Sequence, residues 1–442
     1  MLNLHCKQHT TVSMSSQIQI FKFGGASVKD ATAVRNVASV LKSYAGKQTV
    51  LILSAMGKTT NALERIHQSY LSGSNKDAIQ RIAELKNYHS SILDELFTDK
   101  NHIVFREFNQ LFGELAKAID EKPELSYDKS YDRLVHFGER IATTILNAYL
   151  QENGFETQHI EAGDFIATDN NYRDAYVDWD LTVNKISEGA RSWFANEKPC
   201  IVITQGFIAK SAENAPITLG REGSDFSASI FAYSLNATEM VIWKDVPGVM
   251  NADPKLMPEA VTLEHISYRE AVELAYYGAS VIHPKTIKPL ENKNIPLRVK
   301  SFLNPVGEGT LIDRVGTDDK KVASYIFKFN QVLLSLFPRD FSFINEKNIS
   351  EIFSLFSRNN IKVRLMQNSA ISFSVCFDYE PARLNVLLED LSKLYSVRYN
   401  EQVELVTIRH YSGINSDSII SGRKILLEQK SRSTWQMILN KQ

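Results

Sequence analysis

The chain has 442 residues, of which 43% are hydrophobic and 23% are charged. That length exceeds what one ordinary hydrophobic core serves, so we expect two or three globular domains. With 50 lysines and arginines against 51 aspartates and glutamates, the formal net charge is -1. This balance argues against nucleic acid or an acidic membrane surface as a partner.

Cysteine use and hydropathy indicate the compartment. The three cysteines, Cys6, Cys200 and Cys376, lie far apart and lack C-x-x-C spacing. We therefore expect neither a disulfide framework nor a zinc site, and a reducing cytoplasm fits best. No apolar run approaches the roughly 20 residues that span a bilayer. The polar N-terminus lacks a secretion signal core, and residues 1–16 are predicted to be a disordered lead.

Five β-rich runs occur in the first 305 residues, at 17–25, 49–59, 199–209, 238–248 and 296–302. Near-continuous apolar strands separated by helical patterns predict an α/β fold with a parallel sheet covered on both faces. Ligands of such sheets bind at the carboxyl ends of the strands. The loops GGASVK, SAMGKTTN, QGFIA and KDVPG fall at those ends, so we expect the site there.

The rest of the chain divides into an insertion, a linker and a C-terminal region. Residues 62–150 show apolar spacing typical of helices and are predicted to be an insertion between the second and third strands. A charged stretch over 313–324 breaks the apolar pattern, and 306–324 is predicted to be a linker. The pattern over 325–402 has the order β-α-β-β-α-β, which is typical of a ferredoxin-like unit. Residues 403–442 begin like a second, truncated unit.

The stretch FKFGGASVKD has the features of an anion site. Gly24 and Gly25 permit close backbone approach, Ser27 is predicted to cap the following helix, and Lys22 lies beside the turn. A helix start behind a glycine turn offers N–H groups to a phosphate, which a lysine ammonium would reach as a point charge. Taken alone, the stretch also fits a plain strand-to-helix turn with a surface lysine.

Three further motifs carry charged residues beside turns. In TLGREGSD, Arg221 offers a bidentate fork for a carboxylate or phosphate, and Ser224 or Asp225 is predicted to cap a helix. In KDVPG, Asp245 follows a strand directly and begins a turn. In HFGER, Glu139 opens a helix, where it would bind an ammonium or favour the helix dipole. A capped helix, a surface loop and a dipole effect remain the alternatives.

Two histidines, His136 at the start of HFGER and His283 in VIHP, are interpreted as structural. His136 and His283 have no partner at metal-ligand spacing in the sequence. No protein metal site is therefore predicted.

Seven motifs occur in an order that resembles the aspartate kinases of the amino-acid kinase superfamily: KFGGASV, SAMGKTTN, FGE, QGFI, TLGREGSD, WKDVPGVMNADP and YGASVIHP. The resemblance covers about 20–305, and the C-terminal region resembles that family's ACT regulatory module. It implies a three-layer sandwich with a largely parallel sheet and a catalytic domain over 17–305. It also implies phosphoryl transfer from ATP, with Mg²⁺, to the β-carboxylate of L-aspartate, the first step of lysine, threonine and methionine biosynthesis.

The resemblance also implies residue roles. Lys22 would stabilise the transferring phosphoryl group, and Asp225 would orient Lys22. The substrate-binding residues would be Ser54, Thr60, Glu139 for the ammonium, Arg221 for the α-carboxylate, and Ser224. The nucleotide-binding residues would be Lys22, Phe23, Gly24, Gly25, Lys244, Asp245, Met250, Lys255, Ser280 and Val281.

Two alternatives stay open at this point. The chain departs from the family pattern at Ala26, Lys244 and Ser280, which motivates a catalytically weak ACT-type amino-acid sensor. An amino-acid kinase acting on another substrate is the second. The ACT resemblance implies an amino-acid effector and a homodimer or higher homo-oligomer. Arg364 and Ala370 stand where lysine-inhibited relatives carry acidic residues, so we expect feedback by lysine to be weak or absent.

Overall fold

The computed structural model describes residues 18–120, 126–196, 198, 200–279, 282–340, 342–412 and 420–440. The chain forms two compact units. The first contains the residues up to Gly248 together with Lys285–Asp313, and the second contains Val249–Pro284 and the residues from Arg314 onward. The predicted disordered lead at 1–16 lies outside the described residues.

The strands are β1 (Gln19–Phe23), β2 (Thr49–Leu53), β3 (Thr157–Ile160), β4 (Ala167–Thr168), β5 (Ile201–Gln205), β6 (Ile208–Ser211), β7 (Pro216–Thr218), β8 (Glu239–Lys244), β9 (His265–Ser267), β10 (Leu297–Ser301), β11 (Thr310–Asp313), β12 (Ser324–Pro338), β13 (Val363–Asn368), β14 (Phe373–Asp378), β15 (Tyr395–Arg409), β16 (Ile425–Lys430) and β17 (Thr434–Leu439).

The helices are α1 (Ala31–Lys42), α2 (Thr59–Leu71), α3 (Asn75–Leu96), α4 (Ile103–Asp120), α5 (Tyr127–Val135), α6 (Phe137–Glu152), α7 (Ala162–Phe165), α8 (Trp179–Trp193), α9 (Gly223–Leu235), α10 (Tyr268–Tyr277), α11 (Pro284–Lys293), α12 (Glu346–Arg358) and α13 (Pro381–Leu394). Within the described part of the chain, no helix is both long and apolar enough to cross a membrane.

The first unit is built on a largely parallel sheet. Its strands follow the order β3-β5-β2-β1-β8-β10-β11. All neighbouring pairs are parallel except β10 with β11. In the register of this sheet, Phe23 at the end of β1 pairs with Leu53 of β2 and Trp243 of β8. The loops that follow these three strands therefore leave the same edge of the sheet.

Helices cover both faces of this sheet. Successive strand residues point to opposite sides, and because they are apolar on both sides, both faces need to be buried. Phe21 and Phe23 pack into one core with apolar residues of α1, α2, α3, α4 and α6. Ile20 and Ile52 are also fully buried, and α9 contacts β1, β2 and β8. Helix α9 is buried along almost its whole length, as expected of a helix enclosed by other elements.

The second unit contains a six-stranded antiparallel sheet. Its order is β13-β14-β12-β15-β17-β16. Helices α12 and α13 share a core with β12 and β14, formed among others by Leu334, Phe356, Phe377 and Leu387. The elements β12-α12-β13-β14-α13-β15 follow the predicted β-α-β-β-α-β order.

A buried arginine ties the segment Val249–Pro284 to this antiparallel sheet. Arg409 of β15 donates to Glu270 Oε1 at 3.2 Å and to Glu273 Oε2 at 3.2 Å. Burial raises the pKa of Glu270, but hydrogen bonds from His410 and Arg409 outweigh that effect and hold the pKa below its usual value. Both carboxylates belong to α10, so this helix is held to the sheet by charge-assisted hydrogen bonds.

The predicted fold class is confirmed: a largely parallel α/β sheet is followed by an antiparallel α+β region. The helical insertion predicted at 62–150 extends from α2 to α6. Three details differ from the predicted boundaries. Segment 249–284 groups with the C-terminal unit, the predicted linker 306–324 contains β11, and β15 runs unbroken across the boundary at 402.

Candidate active site

The loops after β1 and β2 touch through their backbones. Gly57 N donates to Gly25 O at 3.0 Å. A β-carbon on Gly25 would lie 2.6 Å from the Ala55 carbonyl oxygen and 2.9 Å from that of Gly57. A side chain at this position would force the backbone to shift, so the close approach of the two loops favours glycine at position 25.

The helix caps differ from those predicted. The Ser27 hydroxyl donates back to Gly24 O at 2.6 Å, within a 3₁₀ turn. Asp30 caps α1 by accepting from Ala33 N at 2.7 Å. Helix α9 begins at Gly223 without a side-chain cap, since its N-cap position is Glu222. A cap from Ser27, or from Ser224 or Asp225, is therefore wrong.

Lys22 and Asp225 form a nearly buried ion pair. Lys22 Nζ lies 2.6 Å from Asp225 Oδ1, and the two side chains are 12% and 7% exposed. Lys22 comes from β1 and Asp225 from the first turn of α9. The pair thus joins the central strand to the start of the central helix, at the edge of the sheet where the loops lie.

Glu139 is a buried carboxyl group, one of whose two oxygens has no hydrogen-bond partner among the described residues. Its Oε1 accepts from Ala55 N at 3.3 Å. Its Oε2 is buried and has no hydrogen-bond partner among the described residues. Burial raises the pKa of Glu139 to about 8, although the Ala55 N–H and the nearby Lys22 charge act in the opposite direction. An unpaired buried oxygen favours a cationic or hydrogen-donating ligand.

These residues border one cavity of about 440 Å³. Of the predicted residues, it is lined by Lys22, Ser54, Thr60, Glu139, Arg221, Ser224 and Asp225. A volume of this size suits a small ligand. The lining contains three basic side chains, Lys22, Arg173 and Arg221, and three carboxyl groups, from Glu139, Glu222 and Asp225. This mixture suits a small molecule that carries both positive and negative charge.

Five further side chains line this cavity and were not among the predicted site residues: Tyr131, Arg173, Phe207, Thr218 and Glu222. Arg173 and Tyr131 lie outside the motifs quoted above, and their approach depends on contacts between distant segments. Glu222 lies inside the motif TLGREGSD, but only the adjacent Arg221 was assigned a binding role there.

The predicted nucleotide-binding residues are divided between the two units. Lys244 and Asp245 follow Trp243, which pairs with Phe23, so they lie at the same edge of the sheet as Gly24. Met250 and Lys255 belong to the second unit. There, Met250 S accepts from the Thr262 hydroxyl at 3.4 Å. Ser280 and Val281 lie outside the described residues.

His136 is predicted to be structural, and no metal site is predicted among the described residues. His136 Nδ1 lies 3.2 Å from Asp132 O, and burial lowers the pKa of His136 to about 4. This histidine is therefore neutral at physiological pH. In the part of the chain that the structure describes, no three His, Cys, Asp or Glu side chains are grouped to hold a metal ion.

We predict that Gly25→Ala lowers the free energy of unfolding by about 1–3 kcal/mol, because the added methyl group would force the two loops apart. Gly24→Ala is the matched control: its β-carbon would meet only Lys22 Nζ, at 3.6 Å. Urea unfolding of both variants measures the difference. Equal stability of the two variants would contradict the close approach at Gly25.

Comparison with known proteins identifies the relatives of this chain. A model described as the amino acid kinase family matches residues 17–301. The chain is 30% identical to the chloroplastic aspartokinase 2 of Arabidopsis thaliana, over 88% of this chain and 73% of the relative. It is 28% identical to the lysine-sensitive aspartokinase 3 of Escherichia coli, over 89% of this chain and 87% of that protein.

A solved structure shares the fold. The crystal structure of E. coli aspartokinase III in complex with aspartate and ADP matches with a TM-score of 0.79 and 26% identity, covering 96% of both chains. The complex of the same enzyme with lysine and aspartate matches with a TM-score of 0.80. The chain therefore belongs to the amino acid kinase family, within its aspartokinases.

Proposed function

We propose that this protein transfers the γ-phosphoryl group of ATP to the β-carboxylate of L-aspartate, giving 4-phospho-L-aspartate and ADP. The observation that carries the proposal is the single cavity containing the Lys22–Asp225 pair, Glu139 and Arg221. Its similarity to an enzyme solved with aspartate and ADP supports this choice of substrates. The reaction would begin the synthesis of lysine, threonine and methionine.

The chemistry needs positioning more than proton transfer. A β-carboxylate has a pKa near 3.9 and is already ionised at neutral pH, so no general base is required to activate it. Lys22 would stabilise the charge on the transferring phosphoryl group, and Asp225 would hold the Lys22 ammonium in place. The backbone of Phe23, Gly24 and Gly25 would approach the phosphates closely.

Substrate recognition would use the charged residues at the cavity wall. The buried carboxylate of Glu139 would bind the substrate ammonium, and Arg221 would bind the α-carboxylate through its planar fork. The hydroxyl groups of Ser54, Thr60 and Ser224 would supply neutral hydrogen bonds. Together these groups would hold the β-carboxylate in line with the phosphoryl group.

Lys244 and Asp245, at the same edge of the sheet as the glycine turn, would contact the nucleotide. Nucleotide contacts by Met250, Lys255, Ser280 and Val281 stay predictions from the sequence. Mg²⁺ keeps several waters and binds phosphates with one or two carboxylates. Asp225, which lies beside Lys22 in the cavity, would supply one such carboxylate. Mg²⁺ would neutralise charge on the phosphate oxygens.

We predict that the protein releases ADP with L-aspartate and not with L-glutamate or N-acetylglutamate. Lys22→Ala should lower kcat by at least about 100-fold, because the charge that stabilises the transition state is removed. A coupled ADP-release assay measures both effects. Preference for another acceptor would favour the second kinase hypothesis, and unchanged turnover in Lys22→Ala would favour the sensor hypothesis.

We predict that the KM for aspartate falls as the pH rises from 6 to 8. The pKa of Glu139, raised to about 8 by burial, leaves its carboxyl group mostly protonated at pH 6. Only the ionised form attracts an ammonium, so each pH unit below the pKa costs up to about tenfold in affinity. Steady-state kinetics across this range measure the slope.

Glu139→Gln is the control for this pH dependence. Its aspartate KM should be high and independent of pH, because the titrating group is gone. A wild-type KM that stays flat between pH 6 and 8 would rule out Glu139 as the ammonium site.

We further propose that the protein is cytoplasmic. We also propose that the antiparallel sheet of the second unit binds an amino-acid effector and mediates a homodimer or larger homo-oligomer. A cavity of about 640 Å³ in this unit is lined by Phe356, Phe377, Arg364 and Asp378, among others. Arg364 donates twice to Asp378, at 2.6 and 3.1 Å. Asp378 is thus already neutralised, which leaves little attraction for a cationic effector.

We accordingly predict weak or absent inhibition by lysine. The kinase assay is titrated with lysine, and threonine and methionine serve as comparison effectors. Half-inhibition at micromolar lysine would contradict the prediction. Light scattering of the same samples measures the oligomeric state.

A further inference from the structure

The substrate cavity contains three non-glycine residues in the left-handed backbone region. These are Arg173 with φ of 66°, Phe207 with φ of 69° and Glu222 with φ of 53°. Side chains other than asparagine rarely adopt this conformation, which persists only where the surroundings enforce it. Arg173 is the cation among the three, and the roles proposed above leave it unused.

A buried carboxylate holds the backbone of Arg173. Asp132 is fully buried, and its Oδ2 accepts from Arg173 N at 2.9 Å and from Thr218 N at 3.0 Å. Its Oδ1 accepts from the Thr218 hydroxyl at 2.7 Å. Thr218 ends β7 and leads directly into the loop that carries Arg221. One side chain therefore fixes both Arg173 and the approach to Arg221.

The segment of Arg173 also packs directly on that loop. Gly220 has φ of 76°, and a β-carbon there would lie 2.8 Å from Arg173 O and 2.9 Å from Asp174 Oδ1. Gly220 precedes Arg221 in the chain. The two arginines are thus carried by backbone segments in contact, and both line the same cavity.

The guanidinium of Arg173 packs against the ring of Tyr131 and forms a weak ion pair with Asp128. It lies 4.5 Å from the ring centroid of Tyr131, whose hydroxyl donates to Glu64 at 2.7 Å. Its Nη1 lies 3.1 Å from Asp128 Oδ1, and these side chains are 45% and 53% exposed. A half-exposed ion pair of this kind contributes little and is readily exchanged for another carboxylate.

We propose that Arg173 is a second arginine of the aspartate site, which exchanges Asp128 for the substrate α-carboxylate and binds it together with Arg221. Asp132 is the positioning residue that holds Arg173 and the Thr218–Arg221 segment in register. This inference rests on the proposed aspartate kinase function and adds a specificity determinant to it. Two guanidinium groups at one carboxylate would reject substrates that lack the α-charge.

The test uses the full-length protein and two substitutions at one position. Arg173→Gln removes the charge, and Arg173→Gly also removes the backbone strain, since glycine adopts a positive φ at no cost. We expect both to raise the KM for L-aspartate about 10- to 100-fold, the range for a lost charge-assisted hydrogen bond. The KM for ATP should change less than about threefold, and Arg173→Gly should melt no lower than the wild type.

A substrate analogue distinguishes a role of Arg173 in binding the α-carboxylate from a role in packing of the protein. Aspartate α-amide keeps the β-carboxylate and lacks the α-charge. We expect the wild-type preference in kcat/KM for aspartate over the α-amide to fall at least about tenfold in both variants. Asp128→Asn should lower the aspartate KM, because the competing anion is gone. Lys210→Gln breaks a partly exposed ion pair with Asp164, neither residue of which lines the cavity, and should match the wild type.

Two results would overturn the inference. One is an unchanged preference between aspartate and its α-amide in Arg173→Gln. The other is an aspartate KM that rises equally in Arg173→Gln and Asp128→Asn, which would assign the ion pair a structural role. Absence of aspartate-dependent ADP release in the wild type would instead reject the proposed function itself.

Discussion

The ion pair between Lys22 and Asp225 constrains how this catalytic unit can be assembled. A lysine on the central strand reaches a carboxylate on the central helix only if β1 and α9 meet at the carboxyl edge of the sheet. The two side chains are almost buried, and a buried pair is costly to desolvate and a weak source of stability. The Lys22–Asp225 pair is better explained by function than by stability, because Asp225 orients the Lys22 ammonium toward the cavity.

Close backbone approach makes that arrangement possible. Gly25 lets the loop after β1 lie against the loop after β2, and the same edge of the sheet then carries Ser54 and Thr60. Glu139 reaches this edge from the helical insertion and hydrogen-bonds the Ala55 backbone. The cavity therefore collects residues from distant regions of the chain, with Lys22 and two arginines among them. Its electrostatics follow from burial, which holds the pKa of Glu139 high until a cationic ligand arrives.

Much of this architecture could be predicted from sequence because buried parallel strands are continuous apolar runs. Strand β3 was missed because Thr157–Ile160 is a short edge strand, partly exposed and rich in polar residues. The motif residues Lys22, Glu139 and Arg221 were found because glycine turns mark strand ends. Arg173 was not identified from the sequence, because its position at the cavity depends on a hydrogen bond from its backbone N–H to the distant Asp132, which no local pattern predicts. The cap of α1 was assigned to Ser27 because serine and aspartate have similar capping preferences, and Asp30 occupies that position. Helix α9 begins after Glu222 without a side-chain cap.

The central claim is that this cavity phosphorylates the β-carboxylate of aspartate. Trapping the product with hydroxylamine tests it most directly, because an acyl phosphate is converted to a hydroxamate whose position mass spectrometry can assign. The account predicts aspartate β-hydroxamate, formed only when ATP and L-aspartate are both present. ADP release without any hydroxamate, or a hydroxamate on the α-carboxyl group, would contradict it.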